Sequence, residues 1–436
     1  MYKPRLHSII LTALACALLA LPAAADSQAR IVRLSDVQGT VQIDKNSGLG
    51  FESAFVNLPI TQGTELRTRE NGRAEIEFED GSTLRLTPNT AVEFSTLGLS
   101  DEGKRVSTVD LLQGKAYVNW LGKSGDEFTL NASREKVELK QPAHFRVASS
   151  SSLVEIASFK NDLDVVSPSG TVKVEKKKMV TFDVNDNDKA TLAKDFDEDR
   201  YDEWDKQSIE YHDKYAKNSS TSLAYGYSDL GYYGGYSNVA GYGMLWQPYF
   251  TGAGWDPFMD GAWSWYPGFG FLWASAYPWG WLPYNYGNWV YAPGFGWGWQ
   301  AGGLNTWRGG IHYVGAAAVG FHPPLEPKGT VSTVAVGKGG PVVTGLPPAH
   351  VLVNRGSAGL GIPRGAYGNL SHLNSQVAKA GSVELYGAPR FAASSSSHGG
   401  YGRSAGSVGH AVSMGGMGHA SSGSGHASGG GGHSGH

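Results

Sequence analysis

The chain has 436 residues and a formal net charge of −3, so it presents no basic footprint for nucleic acid. Its one cysteine, Cys16, sits in the first apolar run, which leaves the rest of the chain without a disulfide, a thiol nucleophile or a cysteine metal site. The remaining length is enough for two or three domains.

Lys3 and Arg5 precede an apolar run from Ile9 to Leu21, and Ala23-Ala24-Ala25 forms an A-x-A site before Asp26. Residues 1–25 therefore read as an export signal cleaved after Ala25. The run is shorter than the roughly 20 residues a spanning helix needs, and Ala13-Leu14-Ala15 before Cys16 is a poor match to a lipoprotein site. No later segment approaches a transmembrane helix, so the mature chain is expected in the periplasm or at the cell surface.

From 30 to 183 the pattern is mainly β, and this stretch is expected to fold as a unit. Ala74, Ile76 and Phe78 alternate with Glu75, Glu77 and Glu79, Asp80-Gly81-Ser82 turns the chain, and Leu84 and Leu86 flank Arg85. This predicts a hairpin with one face in water. Similar short runs, among them Val37–Ile43, Val106–Leu112, Ala116–Trp120 and Leu153–Ala157, have the turn spacing of an antiparallel sandwich or solenoid.

Gly63-Thr64-Glu65-Leu66-Arg67-Thr68, the Gly72 to Ser82 hairpin, Leu111-Leu112-Gln113-Gly114 and His144-Phe145-Arg146-Val147 together resemble the successive signatures of the FecR domain. The resemblance implies an extracytoplasmic β scaffold without a catalytic centre. In that family the domain is best known in transmembrane regulators that carry an outer-membrane siderophore signal to a sigma factor. Here only eight residues precede the apolar run, so the expectation is a scaffold without sigma-factor control.

Asp183-Val-Asn-Asp-Asn-Asp188 has calcium-ligand residue types, but Asp188 stands where a glycine is needed and Lys194 where the closing acid is needed. Residues 184–194 are read instead as an acidic linker, and the carboxylates between Asp183 and Asp205 as solvated. Next, Tyr201, Trp204, Tyr211 and Tyr215 share one helical stripe, which predicts a short aromatic helix packed on the unit that follows.

That unit holds eleven of the thirteen tryptophans between Gly241 and Trp307, with no Lys or Arg. Two copies of one pattern lie 26 residues apart, running Trp255 to Trp273 and Trp281 to Trp299, and Gly241–Trp246 is a worn third. In each copy aromatic pairs two apart flank a Pro-Gly, which predicts β-hairpins with both rings of a pair on one face and a type II turn between. One hairpin is marginal in water, so the copies are expected to merge their rings into a shared layer of Trp255, Trp263, Trp265, Trp273, Trp281, Trp289, Tyr291, Trp297 and Trp299. Tyr249, Tyr284 and Trp307 are expected at its margin, facing a partner or a glycan. The helix and repeats, 195–308, are similar to an uncharacterised Trp/Pro/Gly-rich family found after FecR domains in bacterial envelope proteins. That family implies no activity.

Residues 309–391 mix Gly, Ala, Val and Pro and are expected to be poorly ordered, and residues 392–436, of Gly, Ser, His and Ala, to be a disordered tail. Six histidines lie in that tail, ending in His433 and His436, and suit weak capture of a transition metal, although a solubilising tail explains the same composition.

No G-x-S-x-G, H-E-x-x-H or P-loop is present, and His144 reads as a structural histidine, so no enzyme and no cofactor is expected. Two roles remain. The first is an envelope protein whose β scaffold and aromatic repeats act as a structural and protein-interaction module. The second is glycan or peptidoglycan binding by exposed rings of the repeats.

Overall fold

The computed structural model describes residues 30–122, 125–216, 224–302, 313–314, 321, 323–324, 332–336 and 350–386. The leader 1–25, Trp307, and the tail with His433 and His436 lie outside the described residues.

The short alternating runs build two sheets. In one, Val32–Gln38, Arg73–Glu77 and Thr83–Leu86 are followed by the second half of Arg105–Trp120, then Ala143–Ser149, Leu153–Lys160, Met179–Asp183 and Lys189–Ala193. In the other, Val41–Asp44, Glu65–Thr68 and Ala91–Leu99 lead to the first half of Arg105–Trp120, then Glu127–Ala132, Glu135–Leu139, Leu163–Ser167 and Gly170–Val174. Leu34, Ile76, Val118 and Phe145 from the first sheet share one apolar core with Leu66, Val92, Leu130 and Val165 from the second.

Two runs that read as separate strands are one, Arg105–Trp120, which serves both sheets. Gly114 makes this possible: its φ is 92°, and a Cβ there would lie 2.6 Å from the Asn89 carbonyl oxygen. The sheets are otherwise antiparallel, but Glu127–Ala132 pairs parallel to Val106–Leu111, because the chain crosses back to the start of that long strand.

Both aromatic repeats form hairpins. Gly261–Tyr266 pairs with Gly270–Ser275, setting Trp263 opposite Trp273 and Trp265 opposite Phe271. Asn288–Ala292 pairs with Gly296–Gln300, setting Trp289 opposite Trp299 and Tyr291 opposite Trp297. Gly268 and Gly294, second in each Pro-Gly, both have φ of 80°, the conformation a type II turn needs. The worn copy is also a hairpin, Gly234–Val239 with Gly243–Pro248, and Trp246 joins it to the second repeat opposite Trp299. The first repeat lies in a separate sheet with Thr333–Val336.

Two expectations are corrected. Residues 184–194 are not a linker: Lys189–Ala193 returns along Met179–Asp183 as a strand, because the acids sit in a turn flanked by β-forming residues. Within 309–391, residues 350–386 are ordered as strand His350–Asn354, helix Leu370–Ala380 and strand Ser382–Tyr386. Asn369 caps that helix by accepting from the His372 N–H at 2.9 Å, and Val351, Val353, Leu370 and Val377 enter the aromatic core. A short amphipathic helix among glycines escapes a reading based on composition.

Candidate interaction site: an aromatic layer and an ionic seam

The first hairpin alternates ring and small residue, so the period of two gives it unlike faces. Ala262 and Ala274 pack into the core of the β sheets, and Ser264 accepts from the Lys45 ammonium at 2.6 Å. Asn57 donates to the Ser275 and Tyr277 carbonyls at 3.0 and 2.8 Å, and the Tyr266 hydroxyl donates to the Pro59 carbonyl at 2.6 Å. Small residues and Tyr266 thus bring this hairpin close to the β scaffold, while Trp263, Phe271 and Trp273 enter a second core.

That core is continuous across both repeats. Trp279 is its centre, stacked on Tyr277 at 4.9 Å and on Tyr284 at 6.0 Å, and tilted against Trp246 at 5.0 Å and Trp289 at 6.0 Å. Trp255 packs edge-on to Trp289 at 5.9 Å, Trp263 to Trp273 at 5.2 Å, and Trp281 to Tyr225 at 5.4 Å. Trp297 meets Phe258 at 5.6 Å, and the Trp299 indole donates to the Tyr286 carbonyl at 2.7 Å. All of these tryptophans are buried; Trp265, against Phe271 at 5.3 Å, is half-buried.

The structure departs from the expected layer at three residues. Tyr291 is 48% exposed, its ring meeting only the buried Trp297 opposite it, edge-on at 5.5 Å, among the ring contacts of the described residues. Tyr284, expected at the margin, is 3% exposed: it sits on the short helix Leu282–Asn285, wedged between Trp279 and Trp289, with its hydroxyl donating to the Pro257 carbonyl. Trp279 lies between the two repeat registers, which is why repeat alignment missed it. Tyr249 is half-buried.

The larger surprise is electrostatic. Glu75, Glu77 and Glu79 do not face water; all three are buried, because the helix Arg200–Tyr215 and the chain beyond it cover that face. Asp202 and Asp205, in the run read as solvated, point from the helix into the scaffold. Arg146 bonds Asp202 at 2.5 Å and the Tyr117 hydroxyl donates to it at 2.7 Å. Arg85 lies 2.8 Å from both Asp205 and Glu75, and His144 lies 2.6 Å from Asp205. Asp199 caps the helix in a capping box with Asp202. Trp204 lies under the Arg73 guanidinium at 5.0 Å, while Tyr211 and Tyr215 reach Tyr232, so the helix joins scaffold and aromatic core rather than packing on the latter alone.

A second group of charges continues the seam. Asp229, on the short helix Tyr227–Tyr233, is bonded by Arg33 at 2.7 Å and Arg364 at 2.6 Å and accepts from the Tyr211 hydroxyl at 2.8 Å. Arg364 also reaches Glu75 at 2.8 Å, and His212 meets Glu75 at 3.0 Å. Burial opposes charge on Glu75 and Asp229, but the cations outweigh it: His212, Arg85 and Arg364 hold Glu75 well below its ordinary value, and Arg364 and Arg33 hold Asp229 below its own. Glu77 goes the other way, raised by burial despite His212 and Arg33. A void of about 20 Å³ among Asp36, Glu75, His212 and Arg364 has room for one water.

At the tip of the first hairpin a cleft of about 440 Å³ opens between Pro267 and Gln62. Its two cations are already committed, Arg30 to Glu79 at 2.6 Å and Lys45 to Glu52 at 2.5 Å. No group of three His, Cys, Asp or Glu residues suited to a metal stands among the described residues. Nor is any described helix long and apolar enough to cross a membrane.

Residues 64–164 match the family model described as FecR protein, and residues 227–328 match a family of unknown function, DUF6600. The chain therefore carries a FecR domain followed by a DUF6600 domain. Two crystal structures of a "putative anti-sigma factor" from Parabacteroides distasonis ATCC 8503 are similar over 30% of this chain and 59% of theirs, at 16% and 17% identity, each with a TM-score of 0.27. This chain thus matches less than two thirds of the length of those proteins. None of the curated proteins matches it.

Proposed function

We propose that this is a non-enzymatic, exported envelope protein in which the FecR scaffold and the aromatic repeats form one structural and protein-interaction module. The observation that carries the reading is the burial of the repeat tryptophans: Trp246, Trp279, Trp281, Trp289 and Trp299 are among the largest fully buried side chains. A glycan platform needs exposed, coplanar rings beside an amide or carboxylate, and these rings are enclosed. Rings closed into a core fix the geometry of what surrounds them. The FecR domain supports an envelope setting.

Large apolar side chains do remain exposed on the sheet of the second repeat, at Tyr236, Met244 and Tyr291, and these are the proposed protein contacts. The test is retention of envelope material on the immobilised protein, with peptidoglycan in parallel. The expected result is capture of envelope protein, loss of that capture in Tyr236→Ala/Met244→Ala/Tyr291→Ala with an unchanged melt, and no retention of peptidoglycan. Saturable peptidoglycan retention would replace this reading with the glycan one. Export carries its own check: the mature N-terminus is expected at Asp26, and a retained Met1 would sink it.

A further inference from the structure

We propose that Glu135 and Asp188 share one proton, and that this carboxyl pair is an acid-closed clasp holding the 184–188 turn and its return strand on the β scaffold. Glu135 begins the strand Glu135–Leu139, and Asp188 ends the turn between Met179–Asp183 and Lys189–Ala193. Both side chains are enclosed, at 1% and 0% exposure. One oxygen of each has a donor: Glu135 Oε2 accepts from the Arg134 backbone N–H at 3.3 Å, and Asp188 Oδ1 from the Arg134 guanidinium at 2.8 Å. The other two, Glu135 Oε1 and Asp188 Oδ2, are buried with no donor, and both carboxyl groups converge on the one residue Arg134.

Two facing carboxylates cannot both stay ionised out of water, since an unpaired buried charge is costly and like charges at contact force one group to keep its proton. The charge count favours a proton over a metal ion. Arg134 cancels one of the two negative charges, a single proton cancels the other, and a divalent ion would overshoot while lacking the six to eight oxygens calcium takes. Asp188 has the guanidinium, so the proton rests on Glu135, whose O–H donates to Asp188 Oδ2. Burial, then the neighbouring Asp188, raise the Glu135 carboxyl in accord with this.

The surrounding groups do not compete. Asp186 pairs with Lys189, Lys136 with Glu138, and Asp183 accepts from the Asn185 N–H. From the hairpin Leu163–Val174 the Ser169 hydroxyl donates to the Asp188 carbonyl at 3.0 Å, and its Lys173 is paired with Asp162. Among the described residues the return strand Lys189–Ala193 pairs with one neighbour and its side chains are mostly exposed, while Val184 and Ala190 pack against the core.

The sign follows from the raised carboxyl. The clasp is complete below the unfolded glutamate value of ~4.3 and is lost as pH rises through the higher folded value. Amide exchange over residues 184–193 of the full chain, corrected for intrinsic rates, reads this directly. Protection is expected to fall by up to about tenfold per pH unit between the unfolded value of ~4.3 and the higher folded value, the slope of one linked proton, and to level off above it. In Glu135→Gln, whose amide donates to Asp188 without titrating, the profile should be flat. Asp188→Asn, which supplies a donor from the other side, should flatten it too. A flat wild-type profile, an unchanged slope in both variants, or protection at high pH restored by calcium would each overturn the shared proton.

Discussion

Trp289→Ala is expected to lower unfolding stability by about 3–5 kcal/mol, the range for deleting a large buried aromatic. The cost comes from contacts that cannot re-form: Trp255, Trp279 and Tyr284 surround the ring, each belonging to a different segment of the repeat region. Collapse of these neighbours into the hole is limited because Trp279 is itself held by a 2.7 Å bond from its indole to the Ala358 carbonyl. Trp279→Ala should therefore cost at least as much. Tyr291→Ala, in the same hairpin but half outside the core, should change the melt little. Equal, near-zero effects at Trp279, Trp289 and Tyr291 in urea titrations would contradict a packed ring core and favour a binding platform.

Asp229→Ala is expected to cost a comparable amount, about 3–5 kcal/mol, for a different reason. Removing this carboxylate leaves Arg33 and Arg364 enclosed with one partner fewer each, and the penalty is that of uncompensated charge rather than lost volume. The pH dependence has a defined sign. Asp229 and Glu75 both have depressed folded values, so their contribution is present above the unfolded carboxylate range of ~3.9–4.3 and is lost as pH falls through the folded values. Acid titration of the wild type and Asp229→Ala by circular dichroism should show a smaller acid-induced loss in the variant. An identical acid profile would mean the seam is not what acid breaks.

The hairpins, their Pro-Gly turns and the β character of the first half were legible because each rests on local periodicity. The same periodicity misled at Glu75, Glu77 and Glu79: alternation says that a strand has two unlike faces, but not that the polar face meets water. What covers it comes from elsewhere, through Asp205, Asp229 and Arg364, and no local window contains those partners. Trp279 stayed hidden because it belongs to the spacer, and Tyr284 because a four-residue helix interrupts the extended reading of the second repeat. The aromatic stripe of the helix Arg200–Tyr215 was legible; that its acids would bury on the opposite module was not.

The reach of the ionic seam governs when the molecule can be finished. Arg364 and Glu75 are 289 residues apart, Arg33 and the Pro278 carbonyl 245, and Lys45 and Ser264 219. Contacts this distant slow folding, because a long loop must close before they form. The scaffold strands pair with near neighbours and can assemble early, yet Glu75, already bonded to Arg85 there, gains its second arginine only when Arg364 arrives. A chain interrupted between Asp229 and Arg364 would leave Asp229 with Arg33 and Glu75 with Arg85 and His212, each one cation short. Arg364, bonded to both Glu75 and Asp229, is thus the residue that completes the seam.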